Sequence, residues 1–308
     1  MLSASNPFYR QLELLIELLP LVARESCFAL KGGTAINLFV RDLPRLSVDI
    51  DLTYLPIEGR DESLTKIDQA LRRLGSVIEA TLPGVTTVYS GRKTEQVTKF
   101  QARRAGVRVQ VEVSSVLRGA VREPAWRETT ATFTEKFGVI RMPVLDPLDL
   151  YAGKLCAALD RQHSRDLFDV MQLQRAEGID RALFDVFLVY LLSGDRPLAE
   201  MLAPRFAPLS TTFNSQFTGM ALVPVTEEEL ERVRRKLVAD LHAMLTEADK
   251  EFLLSVKRGN ASWRSFAYPD AAKLPGIQWK LKNIERMAPE KRSASIARLE
   301  AVLRAGEL

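Results

Sequence analysis

The stretch FALKGGTAINLFVRDLPRLSVDIDLTY, residues 28–54, decides how the chain reads. Phe28, Ala29 and Leu30 form a short apolar run that stops at Lys31-Gly32-Gly33, the pattern of a buried strand entering a glycine turn. A helix is expected over 34–40, starting at that turn. Residues 46–55 alternate as a strand does. Leu46, Val48, Ile50 and Leu52 fall on one face, and Ser47, Asp49 and Asp51 on the other, because strand side chains have period two.

Two carboxylates on one strand face repel each other unless a cation sits between them. Magnesium takes oxygen ligands, commonly one or two carboxylates completed by substrate phosphates. Asp49 and Asp51 therefore read as half of a metal-assisted phosphoryl-transfer site, although an exposed strand also places polar residues at alternate positions. The glycines upstream weigh toward the site. A paired glycine lets backbone approach a triphosphate, and the helix behind it offers free N–H groups to anionic oxygens. Thr34 either adds a hydroxyl contact or caps that helix.

Working outward, an amphipathic helix is expected over 8–24 and another over 62–74. Three strand-like stretches follow between 86 and 113. The last, RVQVEV (108–113), sets Val109, Val111 and Val113 against Glu112. If it pairs with the Asp49 strand, Glu112 is a candidate third carboxylate; otherwise it is an exposed acid opposite a buried face. A short strand is expected over 139–145, then a helix with Asp146 as cap and Pro147 in its first turn. Beyond this point strand signal is scarce. Helices are expected near 147–160, 164–177, 179–193, 226–247 and 290–305, and 204–224 carries little pattern. The organisation is α+β: an α/β domain over 1–145, then a mostly helical C-terminal domain over 146–308.

Lys154 lies on an otherwise apolar helix face, so it either reaches solvent along its stem or contacts phosphate. Asp166 and Asp169 share a helix face and could instead form salt bridges within the helix. Basic residues gather between 92 and 122: Arg92, Lys93, Lys99, Arg103, Arg104, Arg108, Arg118 and Arg122 against Glu95 and Glu112. This local excess exceeds the +4 of the whole chain. It suits a nucleic-acid backbone, or a solvated hairpin edge protected from pairing.

Composition excludes several classes. With 46% hydrophobic and 27% charged residues, the chain reads as an ordinary globular protein. Cys27 and Cys156 provide no disulfide framework, and His163 and His242 are too far apart in sequence to suggest a zinc site. The leucine-rich run over 12–22 contains Glu13, Glu17 and Pro20 and is too short to span a bilayer, so a cytoplasmic protein is expected. Nucleophile-elbow, P-loop and dinucleotide fingerprints are missing from the sequence.

At KGGTAINLF (31–39), RLSVDIDL (45–52) and DPLDLYAGKLCAALDRQHSRDLFDV (146–170) the chain resembles the AbiEii/AbiGii toxin family of nucleotidyltransferases, which includes the mycobacterial MenT toxins. FTGMALVPVTEEEL (217–230), ADKEFLLSVKRGNASW (248–263) and LPGIQWKLKNIERM (274–287) extend the likeness over most of the chain. The resemblance implies a polymerase-β-like nucleotidyltransferase core with a mixed sheet, and a helical C-terminal domain contributing Lys154 and Asp169 to the site. It implies magnesium-dependent transfer of NMP from an NTP to the 3′ end of tRNA, which blocks translation, within a toxin–antitoxin or phage-defence system. The antitoxin partner would be AbiEi-like or kinase-like. Nucleotidylation of a protein hydroxyl, or an inactive member that only binds RNA or antitoxin, are the alternatives. Carried onto this sequence, Asp49 and Asp51 match the metal-binding catalytic pair; the resemblance does not fix the third carboxylate, for which Glu112 is inferred from the strand pattern alone. Ser47 matches the hydroxyl near the nucleotide phosphates, Lys154 the phosphate-contacting lysine and Asp169 the catalytic acid of the second half, beside Gly32, Gly33 and Thr34, which the turn itself marks as nucleotide contacts. In some MenT systems the hydroxyl that Ser47 matches is phosphorylated.

Overall fold

The computed structural model describes residues 6, 8–90 and 96–305. Arg92, Lys93 and Glu95 of the basic cluster lie outside them. The chain divides into two compact units. One runs through Leu150 and includes Phe217–Val225; the other comprises Tyr151–Gln216 and Thr226–Leu308.

In the first unit, α1 (Tyr9–Val22) buries Leu12, Leu15, Leu18, Leu19 and Val22 at helical spacing. β1 (Phe28–Lys31) runs into a short helix α2 (Gly32–Ala35), which continues as a wider π-type turn over Ile36–Val40. β2 (Asp49–Tyr54) follows, then α3 (Arg60–Thr81), β3 (Thr86–Tyr89), β4 (Lys99–Arg104) and β5 (Val107–Val113). β6 (Ala125–Glu128), α4 (Ala131–Phe137) and β7 (Arg141–Val144) precede α5 (Pro147–Asp160), which Asp146 caps by accepting from the Leu148 N–H at 2.9 Å.

The seven strands form one mixed sheet in the order β3-β4-β5-β2-β1-β7-β6. β2–β5 and β1–β7 are parallel pairs; the rest are antiparallel. The mixed sheet with helices agrees with the expected α+β class. Ile50, Leu52, Phe100, Val109, Val111 and Val113 are all buried on one sheet face, where α1 and α3 pack. The opposite face carries the polar residues at alternate positions, Asp49 and Asp51 among them.

Several expectations change. The strand over 46–55 begins only at Asp49. Residues 44–46 pair instead with a distant segment: the Leu46 N–H donates to the Met220 carbonyl at 2.8 Å and the Leu222 N–H to that of Pro44 at 2.9 Å. The helix expected from 34 starts at Gly32. β6 and α4, four and seven residues long, were not expected; α4 ends at Gly138, whose φ of 84° closes the helix.

The second unit is helical: α6 (Ser164–Ala176), α7 (Arg181–Ser193), α8 (Leu198–Leu202), α9 (Ser210–Gln216), α10 (Glu227–Met244), α11 (Glu247–Arg258), α12 (Pro275–Glu285) and α13 (Pro289–Ala305). α7 is apolar nearly all round and buries Leu183, Phe184, Val186, Phe187, Leu188 and Val189, as a central helix must. Thr226 and Glu229 close a capping box on α10. A second box, Thr246 with Asp249, starts α11, so the helix expected over 226–247 stops three residues early. Among the described residues no helix is long and apolar enough to cross a membrane.

Candidate active site

Asp49 and Asp51 open β2, and the parallel register with β5 sets Asp49 beside Gln110 and Asp51 beside Glu112. Residues paired across strands share a face, so the sequence-predicted carboxylates are brought to one side of the sheet. Glu112 Oε2 accepts a hydrogen bond from Gln110 Nε2 at 2.7 Å. Among the described residues no three His, Cys, Asp or Glu side chains stand close enough together to hold one metal ion.

The glycine turn is built against this strand. Gly32 has φ of 72°, a conformation that disfavours any side chain. A Cβ there would lie 2.5 Å from Asp51 Oδ2, so the carboxylate lies directly over the glycine. A Cβ on Gly33 would lie 2.5 Å from Arg45 Nη2 and 2.9 Å from Ser47 Oγ. Thr34 Oγ1 is 3.0 Å from Ser47 Oγ and 2.5 Å from the Asp49 carbonyl oxygen. Thr34 thus ties the short helix to the start of β2. Asn37 Nδ2 donates back to the Gly33 carbonyl at 2.9 Å.

Arg45 is the residue that sequence reasoning missed. It is 2% exposed, donates to the Leu46 carbonyl at 2.8 Å, and brings its guanidinium against Gly33. An arginine is almost never fully buried without a partner. Its place two residues before Ser47 was the only signal, and nothing in the local pattern distinguishes it from a surface arginine. Ser47 is also buried, at 5% exposed. It precedes the strand rather than lying on it.

Lys154, Asp166 and Asp169 belong to the second unit. Lys154 Nζ lies 2.8 Å from Asp166 Oδ1 and 3.0 Å from Asp169 Oδ2, with all three side chains buried. Arg161 adds a fork to Asp166 at 2.6 and 3.0 Å. Two cations therefore balance two carboxylates. Burial alone would raise the Asp166 carboxyl, but Lys154 and Arg161 hold it well below the usual carboxylate range. Both aspartates of α6 converge on the lysine of the preceding helix. His163 caps α6, its Nδ1 accepting from the Arg165 N–H at 3.1 Å, and burial lowers its pKa.

The basic cluster does not act as one surface. Arg104 forks onto Glu17 at 2.7 and 2.5 Å. Arg118 is buried, and Arg122 pairs with Asp146 at 3.3 Å. Arg103 and Arg108 remain exposed.

Residues 13–283 match the family described as nucleotidyl transferase AbiEii toxin, type IV toxin–antitoxin system. The fold is similar to that of MenT4, a nucleotidyltransferase toxin from Mycobacterium tuberculosis H37Rv, with a TM-score of 0.61 at 16% identity, over 90% of this chain and 92% of that one. Among curated proteins none matches the sequence. A family match over most of the chain, on a fold that places the glycine turn beside the Asp49–Asp51 strand, shows that the chain belongs to the AbiEii family of nucleotidyltransferase toxins.

Proposed function

We propose that this nucleotidyltransferase toxin moves NMP from an NTP to the 3′ end of tRNA with magnesium, blocking translation until its antitoxin intervenes. The observation that carries the reading is Asp51's carboxylate seated over Gly32, with Asp49 on the same face of β2. An all-oxygen pair of carboxylates fits a hard cation that takes its remaining ligands from phosphates. Asp49 and Asp51 would hold it, with Glu112 as the candidate third carboxylate. Magnesium, when bound, neutralises charge on the triphosphate.

The rest falls to the chain itself. Gly32 and Gly33 expose backbone without side chains, and Thr34 and Ser47 place hydroxyls behind them. Lys154, matched to a phosphate contact by the resemblance, is oriented by Asp169. The acceptor hydroxyl oxygen bonds to the α-phosphorus, its proton passing to a carboxylate of this face. The bond from the α-phosphorus to the bridging oxygen breaks, and pyrophosphate leaves. Catalysis here is positioning and charge neutralisation. A buried Ser47 also means that a kinase-like antitoxin would need this turn to open before it could phosphorylate the hydroxyl, whose phosphate would then repel the triphosphate.

The test is a transfer assay with total cellular RNA, magnesium and each of four α-labelled NTPs. Label should enter small RNA with wild type, vanish in Asp49→Ala, and fall partially in Glu112→Gln. Lys154→Ala removes the cation that Asp166 and Asp169 share in a buried site and should cost about 3–5 kcal/mol, so its activity is read only beside a thermal denaturation curve. Undiminished transfer by folded Asp49→Ala would overturn the assignment, and label on protein alone would replace RNA as acceptor.

A further inference from the structure

The β4–β5 hairpin turns on Ala105 and Gly106, both at positive φ, 48° and 80°, as a two-residue hairpin requires. Its far side is fixed to α1. Arg10 donates to the Ala105 carbonyl at 3.3 Å and Gln11 to that of Arg108 at 3.0 Å, while Arg104 forks onto Glu17. Its near side is different. Arg103 and Arg108 stand directly opposite each other in the antiparallel register, both exposed. Like charges in that position destabilise a strand pair. Among the described residues neither has an acidic partner. Arg103 reaches only Gln101 Oε1, at 2.7 and 3.2 Å. An open hollow of about 400 Å³ lies there, lined by Gly84, Thr86, Arg103, Arg104, Gly106 and Arg108.

The register connects this hollow to the carboxylates. Arg108 precedes Gln110 by two residues and so shares its face, and Gln110 is the partner of Asp49. With a strand rise of ~3.4 Å and a strand spacing of ~4.8 Å, the Cα atoms of Arg108 and Asp49 are roughly 8 Å apart. One sheet face therefore runs from the aspartates across Gln110 to an unneutralised arginine pair.

We propose that Arg103 and Arg108 hold backbone phosphates of the acceptor's single-stranded end, so that the strand approaches Asp49 and Asp51 along the β4–β5 hairpin. The proposal rests on the RNA-acceptor reading above. Arginine suits the role because its planar fork meets phosphate oxygens two at a time, and the cross-strand repulsion is relieved when an anion lies between the two guanidinium groups.

The experiment uses the full chain, wild type and Arg103→Gln/Arg108→Gln, with a short fluorescein-labelled single-stranded RNA followed by anisotropy across a salt series. The transfer assay is run in parallel. The double variant should lose roughly tenfold or more in RNA affinity, and its slope of log affinity on log salt should be shallower by about 1.4, two contacts at about 0.7 each. KM for RNA should rise while KM for NTP stays. Arg103→Lys/Arg108→Lys should keep the salt slope. The thermal midpoint of the glutamine variant should not fall, since it removes a repulsion. Unchanged RNA affinity and slope, with RNA still labelled by the wild type, would overturn the arginine assignment alone. A rise confined to the KM for NTP would overturn it too, by giving the pair to the nucleotide. Label appearing only on protein would instead defeat the RNA-acceptor reading, whatever the slope shows.

Discussion

Gly32 is constrained twice over, by its own backbone and by the Asp51 carboxylate above it. Its φ of 72° and the Asp51 carboxylate above it exclude a side chain for independent reasons. Gly32→Ala should therefore cost about 1–2 kcal/mol from the left-handed backbone alone, and should lower transfer further by displacing Asp51. Chemical denaturation and the transfer assay would check this; full activity in Gly32→Ala would remove the glycine from the site. The pair Asp49 and Asp51 was legible because period two is fixed by the strand itself. Ser47 was placed on that strand for the same reason, and wrongly, because its partner is Thr34 on a different element. Arg45 left no trace for the same cause: burial of a charged side chain depends on three-dimensional neighbours that no local pattern encodes.

At the scale of elements, most of the long amphipathic segments declared themselves, with α11 and α12 as exceptions, and the short ones did not. α1, α3, α6 and α7 each carry a full apolar stripe, whereas β6, α4, α8 and α9 are too short to show a period. The break between α10 and α11 depends on a second capping box inside a helix-favouring sequence. A buried lysine joins two helices in a way that can be measured. Lys280 of α12 donates to the carbonyls of Leu191, in α7, and Arg196, at 3.4 and 3.2 Å. Burial first, and the Lys257 charge second, push its pKa down to about 8 from the ordinary 10.5. Between those values the unfolded chain binds the proton and the folded chain does not, so this group makes stability rise with pH from about 8 to 10.5. Below 8 both states are protonated and the full cost of burying the charge is present. Lys280→Met should flatten the rise, seen as a smaller pH dependence of the denaturation midpoint than in wild type; an equal dependence in both proteins would assign the effect to other groups.

At the scale of the molecule, the chain passes between its two units three times, because Phe217–Val225 belongs to the first. This excursion was the least legible part of the sequence. Residues 204–224 have no periodicity, and their contacts with Pro44 and Leu46 span more than 170 residues. Met220 is 1% exposed and its carbonyl holds the Leu46 N–H. Met220→Ala should cost about 2–5 kcal/mol as a buried truncation. Faster amide exchange at Leu46 should accompany that loss; unaltered protection there would show that the returning segment does not support the Ser47 turn. The same excursion sets an order of events during synthesis. When residue 150 has been made, every strand exists, yet the ledge beneath the glycine turn lacks its support until residue 225 follows. At about 5–20 residues per second, that interval lasts roughly four to fifteen seconds, so a nascent toxin remains unfinished at its glycine turn while the ribosome is still translating it.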